Sequence, residues 1–256
     1  MDIVFVGAGR LATNLARALH ARGHRITAVY SRTLASAEAL SAVVGGIPTD
    51  SINVLPLEAD AFILAVKDAV LSDLISLLDK GREQQAFFHT AGSVPLSVFG
   101  SHSPCGVIYP MQTFSKERQV DFSRVPIFIE GDDEESQNLA GQIARTVSDD
   151  VRTLSSEDRR HLHLAAVFAC NFANHCYALS ARILEKHGLP FSVMLPLIEE
   201  TAEKVRTMHP REAQTGPAVR YDENVIEAQM RLLADEPTAQ QIYDIMSNSI
   251  HQLAND

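Results

Sequence analysis

Apolar positions along this chain follow two rhythms. In the first 154 residues, short runs rich in β-branched and aromatic residues alternate with stretches of helical period. Residues 3–6 (IVFV), 25–30 (RITAVY), 60–66 (DAFILAV), 85–89, 107–109 and 125–130 (VPIFIE) predict strands. Ile47 predicts the start of a further short strand, and residues 151–154 an edge strand. The run 60–66 is apolar throughout, as a strand buried on both faces of a parallel sheet is. Helices are predicted up to about Arg22 (closed by Gly23-His24), over 34–43 (closed by Gly45-Gly46), over 70–78 and over 134–147. Strand alternating with helix gives an α/β fold with a doubly wound, mostly parallel sheet. After Ser155-Ser156 no strand pattern recurs. Helices are predicted from Ser156, read as a partial cap with Arg159 where a capping box wants Glu, to about His187, and then over 191–206, 223–234 and 238–253. Residues 209–220 carry turn chemistry and read as a loop. The change of period divides the chain into domains 1–154 and 155–256, the second all-α.

The first strand leads straight into Gly7-Ala8-Gly9-Arg10-Leu11-Ala12, the spacing G-x-G-x-x-A, and then into a helix with Leu11, Leu15, Ala18 and Leu19 on one face. Strand, glycine turn and helix together give this short motif its meaning. Gly7 permits the tight turn, Gly9 lets a pyrophosphate reach the backbone, and Ala12 lets the helix pack close to the strand. The unpaired amides of Arg10 and Leu11 face the phosphates at the positive end of the helix dipole. Where a site preferring NAD carries an acid at the end of the second strand, this chain has Ser31-Arg32-Thr33. A guanidinium flanked by hydroxyls suits a 2′-phosphate, so the expected cofactor is NADP(H). The alternative for Arg32 is a solvated surface cation. Ligands of such sheets bind outside the carboxyl ends of the strands, which adds Ala65, Val66 and Lys67 after the fourth strand and Thr90, Ala91 and Gly92 after the fifth. His89, Thr90 and Ser93 could donate or accept hydrogen bonds there, or could equally satisfy the loop backbone.

Charge and cysteine content narrow the partners. The formal net charge of −10 disfavours nucleic acid and anionic membranes as partners, while leaving room for an anionic cofactor held locally. Three cysteines with no C-x-x-C pair fit free thiols in a reducing compartment, and the expected location is the cytoplasm. No apolar run reaches a membrane span, and the first residues do not read as a signal peptide. No zinc-ligand spacing appears, and His161 and His163 fall on different faces of their helix.

The long predicted helix is apolar nearly all round from Leu162 to Leu184, which places it at the centre of its domain or under a partner. Leu164, Phe168, Asn171 and His175 form one row, in which Asn171 and His175 interrupt an apolar stripe beside Asn174. One account is catalytic, with His175 as proton donor to a carbonyl or imine and Asn171 orienting the substrate. The other is a polar pair satisfied in a core or dimer interface.

A glycine-motif domain with Ser-Arg after its second strand, followed by a helical domain opening on a long helix, resembles the superfamily of pyrroline-5-carboxylate reductase, the β-hydroxyacid dehydrogenases and the deazaflavin-dependent NADP oxidoreductases. More closely, residues 109–116 (YPMQTFSK), 163–179, 195–202 (LPLIEETA) and 215–220 (TGPAVR) resemble one bacterial family within it. Its members pair a Rossmann-like domain with a C-terminal helical domain of unknown function and go by the name NADP oxidoreductase. The resemblance implies a Rossmann domain, a second domain like the C-terminal one of 6-phosphogluconate dehydrogenase, and a homodimer formed through that helical domain. One departure stands out. The hydroxyacid dehydrogenases carry a catalytic lysine one helical turn before an asparagine; if Asn171 is that asparagine, Phe168 holds the lysine's place, and no lysine occurs between Lys116 and Lys186.

These readings lead to an NADP(H)-dependent oxidoreductase passing a hydride between nicotinamide and a small carbonyl or imine. The alternative is a non-catalytic NADP-binding protein whose helical domain binds a partner according to cofactor state. A dimer that keeps the fold and has lost the cofactor is disfavoured by the intact glycines and Arg32.

Overall fold

The computed structural model describes residues 1–255. They form two compact units, Met1–Cys170 and the chain from Asn171 on. The division falls past the 154/155 change of period, because the first helix after the sheet packs within the first unit.

In that unit, β1 (Asp2–Val6), β2 (Arg25–Tyr30), β3 (Ile47–Thr49), β4 (Ala61–Leu64), β5 (Phe87–His89), β6 (Cys105–Pro110), β7 (Ile127–Gly131) and β8 (Val151–Thr153) make one eight-stranded sheet. Its order is β3-β2-β1-β4-β5-β6-β7-β8, parallel at every step except β6 against β7. β1 shows why these residues make a central strand. Ile3 and Phe5 enter the core on one face, Val4 and Val6 the core on the other, and all four are fully buried. The helices α1 (Arg10–Ala21), α2 (Leu34–Val44) and α4 (Glu134–Arg145) bury apolar faces in the first core, and α3 (Leu71–Leu78) in the second. On α1 the buried stripe is Ala12, Leu15, Ala16 and Leu19, one helical face as the period requires. α4 starts on a capping box, Asp133 with Ser136, and has Glu134 and Glu135 in its first turn. This is a Rossmann-like sheet whose direction of winding reverses between β1 and β4, which opens a crevice at the carboxyl ends of those strands.

α5 (Ser156–Ala166) follows β8. Its cap is Ser155, one residue earlier than the sequence predicts, with the Ser155 hydroxyl accepting from the Asp158 amide at 3.1 Å. Ser156 is thereby free to bond elsewhere. Its amide donates to Glu130 Oε1 at 2.9 Å, and its Oγ accepts from the Leu96 amide at 2.8 Å. After α5 the chain passes through a π-helical segment, Val167–Phe172, and the division between the units falls inside it.

The second unit is helical throughout: α6 (Ala173–Lys186), α7 (Leu195–Thr207), α8 (Pro210–Ala213), α9 (Pro217–Arg220), α10 (Glu223–Leu232) and α11 (Pro237–Asn255). Two single-turn helices, α8 and α9, replace the predicted 209–220 loop; each begins on a proline whose fixed φ suits a first turn. α6 has no buried residue, so its apolar residues do not form the centre of a core within this chain. Among the described residues no helix is long and apolar enough to cross a membrane.

Candidate functional site

The glycine turn sits at the crevice. Gly7 takes φ +122°, and a Cβ there would lie 2.3 Å from the Ala65 carbonyl oxygen, so only glycine fits the approach of β1 to β4. Its amide donates to the Tyr30 carbonyl at 2.8 Å, tying the turn to the end of β2. Gly9 is the N-cap of α1, has open space where a Cβ would stand, and offers no side-chain cap; no acid occupies the first turn. The first amides of α1 therefore face outward with the helix dipole behind them.

A cavity of about 720 Å³ begins at this turn. Gly7, Ala8, Gly9, Arg10 and Leu11 line it, with Ser31 and Arg32 from the end of β2, Ala65, Val66 and Lys67 from the end of β4, and Thr90, Ala91 and Gly92 from the end of β5. Thr33 does not line it: it is the exposed N-cap of α2. Arg32 is exposed, and no carboxylate pairs with it among the described residues. The residues present fit a dinucleotide: outward amides, a glycine that leaves room above the backbone, and three cations in the wall (Arg10, Arg32 and Lys67), although Asp68 and Asp73 also reach it.

Asn171 and His175 belong to the second unit, in the π segment and on α6, and both side chains are exposed, as are Leu164 and Phe168 of the same row. The premise of a polar pair buried in an apolar stripe does not hold within this chain. His89 is no wall residue either. It is fully buried beneath the loop, accepts from the Ala91 amide at 3.1 Å through Nδ1, and is held neutral, its pKa pushed down to about 3 by burial and then by the Arg159 charge. Ser93 turns its hydroxyl to the Asp68 carboxylate.

Sequence reasoning missed three neighbours. Tyr109, at the carboxyl end of β6, and His163, on α5, both line the cavity, and Tyr109 Oη lies 3.0 Å from His163 Nδ1. Burial pushes the Tyr109 phenol above its ordinary pKa, opposed by the Arg159 charge. Arg159 itself is 1% exposed, pairs with Glu130 on β7, and donates to the Val94 carbonyl at 2.6 Å. The strand-end rule that singled out Thr90–Gly92 applies equally to Tyr109. Nothing local marks Arg159, whose partner lies 29 residues back.

Residues 2–88 match the family described as NADP oxidoreductase, coenzyme F420-dependent, and residues 125–250 match a domain of unknown function, DUF2520. The whole chain superimposes on a Bacteroides fragilis protein described as a putative NADP oxidoreductase, with 50% identity, 98% of each chain covered and a TM-score of 0.94. At 20% identity, a pyrroline-5-carboxylate reductase from Coxiella burnetii shares the fold over 99% of this chain and 97% of its own, TM-score 0.60. At 15%, an imine reductase from Myxococcus stipitatus in complex with NADP+ shares it over 100% and 94%, TM-score 0.71. No curated protein matches the sequence.

Fold and turn together define the class: an oxidoreductase-type Rossmann domain followed by a helical domain. Within it, the chain belongs to the NADP oxidoreductase family represented by the Bacteroides protein, with a DUF2520 C-terminal domain.

Proposed function

We propose that this protein is an NADP(H)-dependent oxidoreductase acting on a small carbonyl or imine. The observation that carries the reading is the cavity in which the glycine turn, Arg32 and the ends of β4 and β5 meet. NADPH, when bound, supplies the hydride. Gly7, Ala8, Gly9 and the amides of Arg10 and Leu11 take the pyrophosphate, and Ser31 and Arg32, with Thr33 at their edge, take the 2′-phosphate. Ala65, Val66 and Lys67 border the middle of the cofactor, and Thr90, Ala91 and Gly92 its nicotinamide end. The NADP+ bound by the imine reductase relative supports this choice.

His175, with Asn171 beside it, is one candidate proton donor from the helical domain. That domain is proposed to shape the substrate pocket and to form a homodimer, since α6 has no buried residue and Tyr177 and Ile183 on it are exposed. Three free cysteines accord with a cytoplasmic setting. The lack of any lysine between Lys116 and Lys186 favours a second reading, a protein that binds NADP(H) and reports its state to a partner.

Calorimetry with NADPH and NADH tests the cofactor. Arg32→Ala is expected to weaken NADPH binding by about 1.5–3 kcal/mol, the range for a charged hydrogen bond, and to leave NADH unchanged. Equal affinity of the wild type for the two nucleotides overturns the 2′-phosphate reading. Absence of binding by either overturns the cofactor itself.

A further inference from the structure

The cavity ends in a hydrogen-bonded pair that the reading above does not use. Tyr109 lies next to the last residue of β6 and His163 rises from α5, with their rings edge to face, 6.0 Å between centroids at 71°. The pair is built tightly into the wall. A Cβ on Gly92, in the loop expected to border the nicotinamide, would lie 2.5 Å from His163 Nδ1 and 2.9 Å from Tyr109 Cζ. The loop backbone therefore presses against both rings, and only glycine leaves the pair in place. The helix that carries His163 is itself anchored. Arg159, four residues earlier and so on the same helical face, pairs with Glu130 and with the Val94 carbonyl. Ser156, at the start of the same helix, bonds to Glu130 and Leu96. A ring that lines a cavity, bonds to Tyr109 and rides on a helix anchored by this many bonds is preorganised for more than packing.

We propose that Tyr109 is the proton donor of this site and that His163 is the positioning residue that feeds it. The inference rests on the oxidoreductase reading. As the substrate carbon gains the hydride, the π pair of its C=O or C=N moves to the heteroatom, which takes the proton from Tyr109 Oη. The phenolate so formed accepts the proton from His163 Nδ1 as His163 Nε2 takes one from water, so the imidazole stays neutral, hydroxide is left in solvent, and exchange with solvent restores the starting tautomer. Substrate gains one hydride and one proton, and the protein ends unchanged. Arg159 is the charged group near the phenol, and it favours the phenolate.

The first readout needs no turnover. Alkaline titration at 295 nm, wild type minus Tyr109→Phe, isolates the Tyr109 phenol. In His163→Leu that phenol is expected to ionise at clearly higher pH, because the N–H that stabilises the phenolate is gone. The second readout is NADPH-dependent reduction of two probes, a five-membered cyclic imine and ethyl pyruvate. Tyr109→Phe is expected to cut kcat by ~10²–10⁴ and to leave NADPH affinity within twofold. His163→Gln, which can still hydrogen-bond the phenol, is expected to lose less than His163→Leu. An unmoved titration in His163→Leu overturns the relay, and a Tyr109→Phe enzyme within threefold of wild-type kcat overturns the donor. A wild type that binds NADPH and reduces neither probe overturns the donor role while leaving the cofactor site intact. A wild type that binds no NADPH instead fails the reading on which the proposal rests.

Discussion

The two units of this chain treat their apolar residues in opposite ways. In the first, the central strands bury their apolar residues completely: Ile3, Val4, Phe5 and Val6, then Phe62, Ile63, Phe87 and Phe88. In the second, the buried residues among those described are few, namely Ala218, Ile226, Glu236, Ala239 and Ser247, while Leu232 stands 80% exposed and Ile245 67%. A sheet covered on both faces closes its own core. A helical unit of about 85 residues with large apolar side chains outward keeps much of its apolar surface outside its own core. The first unit should therefore answer to substitutions of buried groups, and the second to changes that alter association.

The largest effect is expected at Arg159. Its guanidinium is buried against the Glu130 carboxylate, and removing one partner of a buried pair leaves the other uncompensated. Arg159→Ala should cost about 3 kcal/mol in urea unfolding. The double replacement Arg159→Met with Glu130→Leu should recover most of that, because neither charge then remains. A single-variant loss below about 0.5 kcal/mol, typical of surface positions, would remove the contrast between the units at its strongest point.

Next comes His89, through pH. Unfolded, its imidazole takes a proton near pH 6.5; folded, burial keeps it neutral until about pH 3. Between those values the unfolded chain binds more protons. The stability linked to His89 is thus full above about pH 6.5 and is lost as the pH falls toward 3. From pH 6.5 to 5 the loss should be about 2 kcal/mol, at 1.36 kcal/mol per unit. His24, also lowered by burial, adds to the slope, so the measurement is the difference between wild type and His89→Gln, which removes the titrating ring. Parallel curves for the two proteins would show that His89 gains its proton in the folded state as readily as in the unfolded one.

The same contrast explains what could be read from the sequence. β1, the glycine turn and α1 were legible because period 2, the G-x-G-x-x-A spacing and period 3.6 are local signals that tertiary packing then reinforced. The strand-end rule led to Thr90–Gly92, and it would have led to Tyr109 as well, had the Tyr109-Pro110 break not read as the mere end of a strand. Arg159 was illegible. A charged residue in the first turn of a helix reads as solvated, and only Glu130, far back in the chain, makes it a core residue. Gly92 gives no sign in sequence of the two rings pressed against it. In the second unit, the all-round apolar pattern of the long helix is plain in the sequence, but periodicity cannot say whether a core or a partner covers it.

The smallest effect on stability, and the one that decides that question, is expected at Ile245. It lies two residues before buried Ser247 on α11, some 200° around the helix, and so on the opposite face. Ile245→Ser should change the urea stability of the isolated chain by less than about 0.5 kcal/mol, since an exposed side chain loses little by becoming polar. If a second copy covers this face, the same substitution removes a buried apolar side chain from each side of the interface. Truncating such an anchor costs about 2 kcal/mol or more at a hot spot. Sedimentation of wild type and variant across a range of concentrations separates the cases. A dimer that dissociates at higher concentration in Ile245→Ser places this face at the interface and leaves the helical unit incomplete without its copy. An identical dimer in both proteins moves the interface to another face, where Leu232 at the end of α10 is the next residue to change. A monomer in both would mean that the helical unit keeps its apolar face for a different partner, as the second functional reading requires.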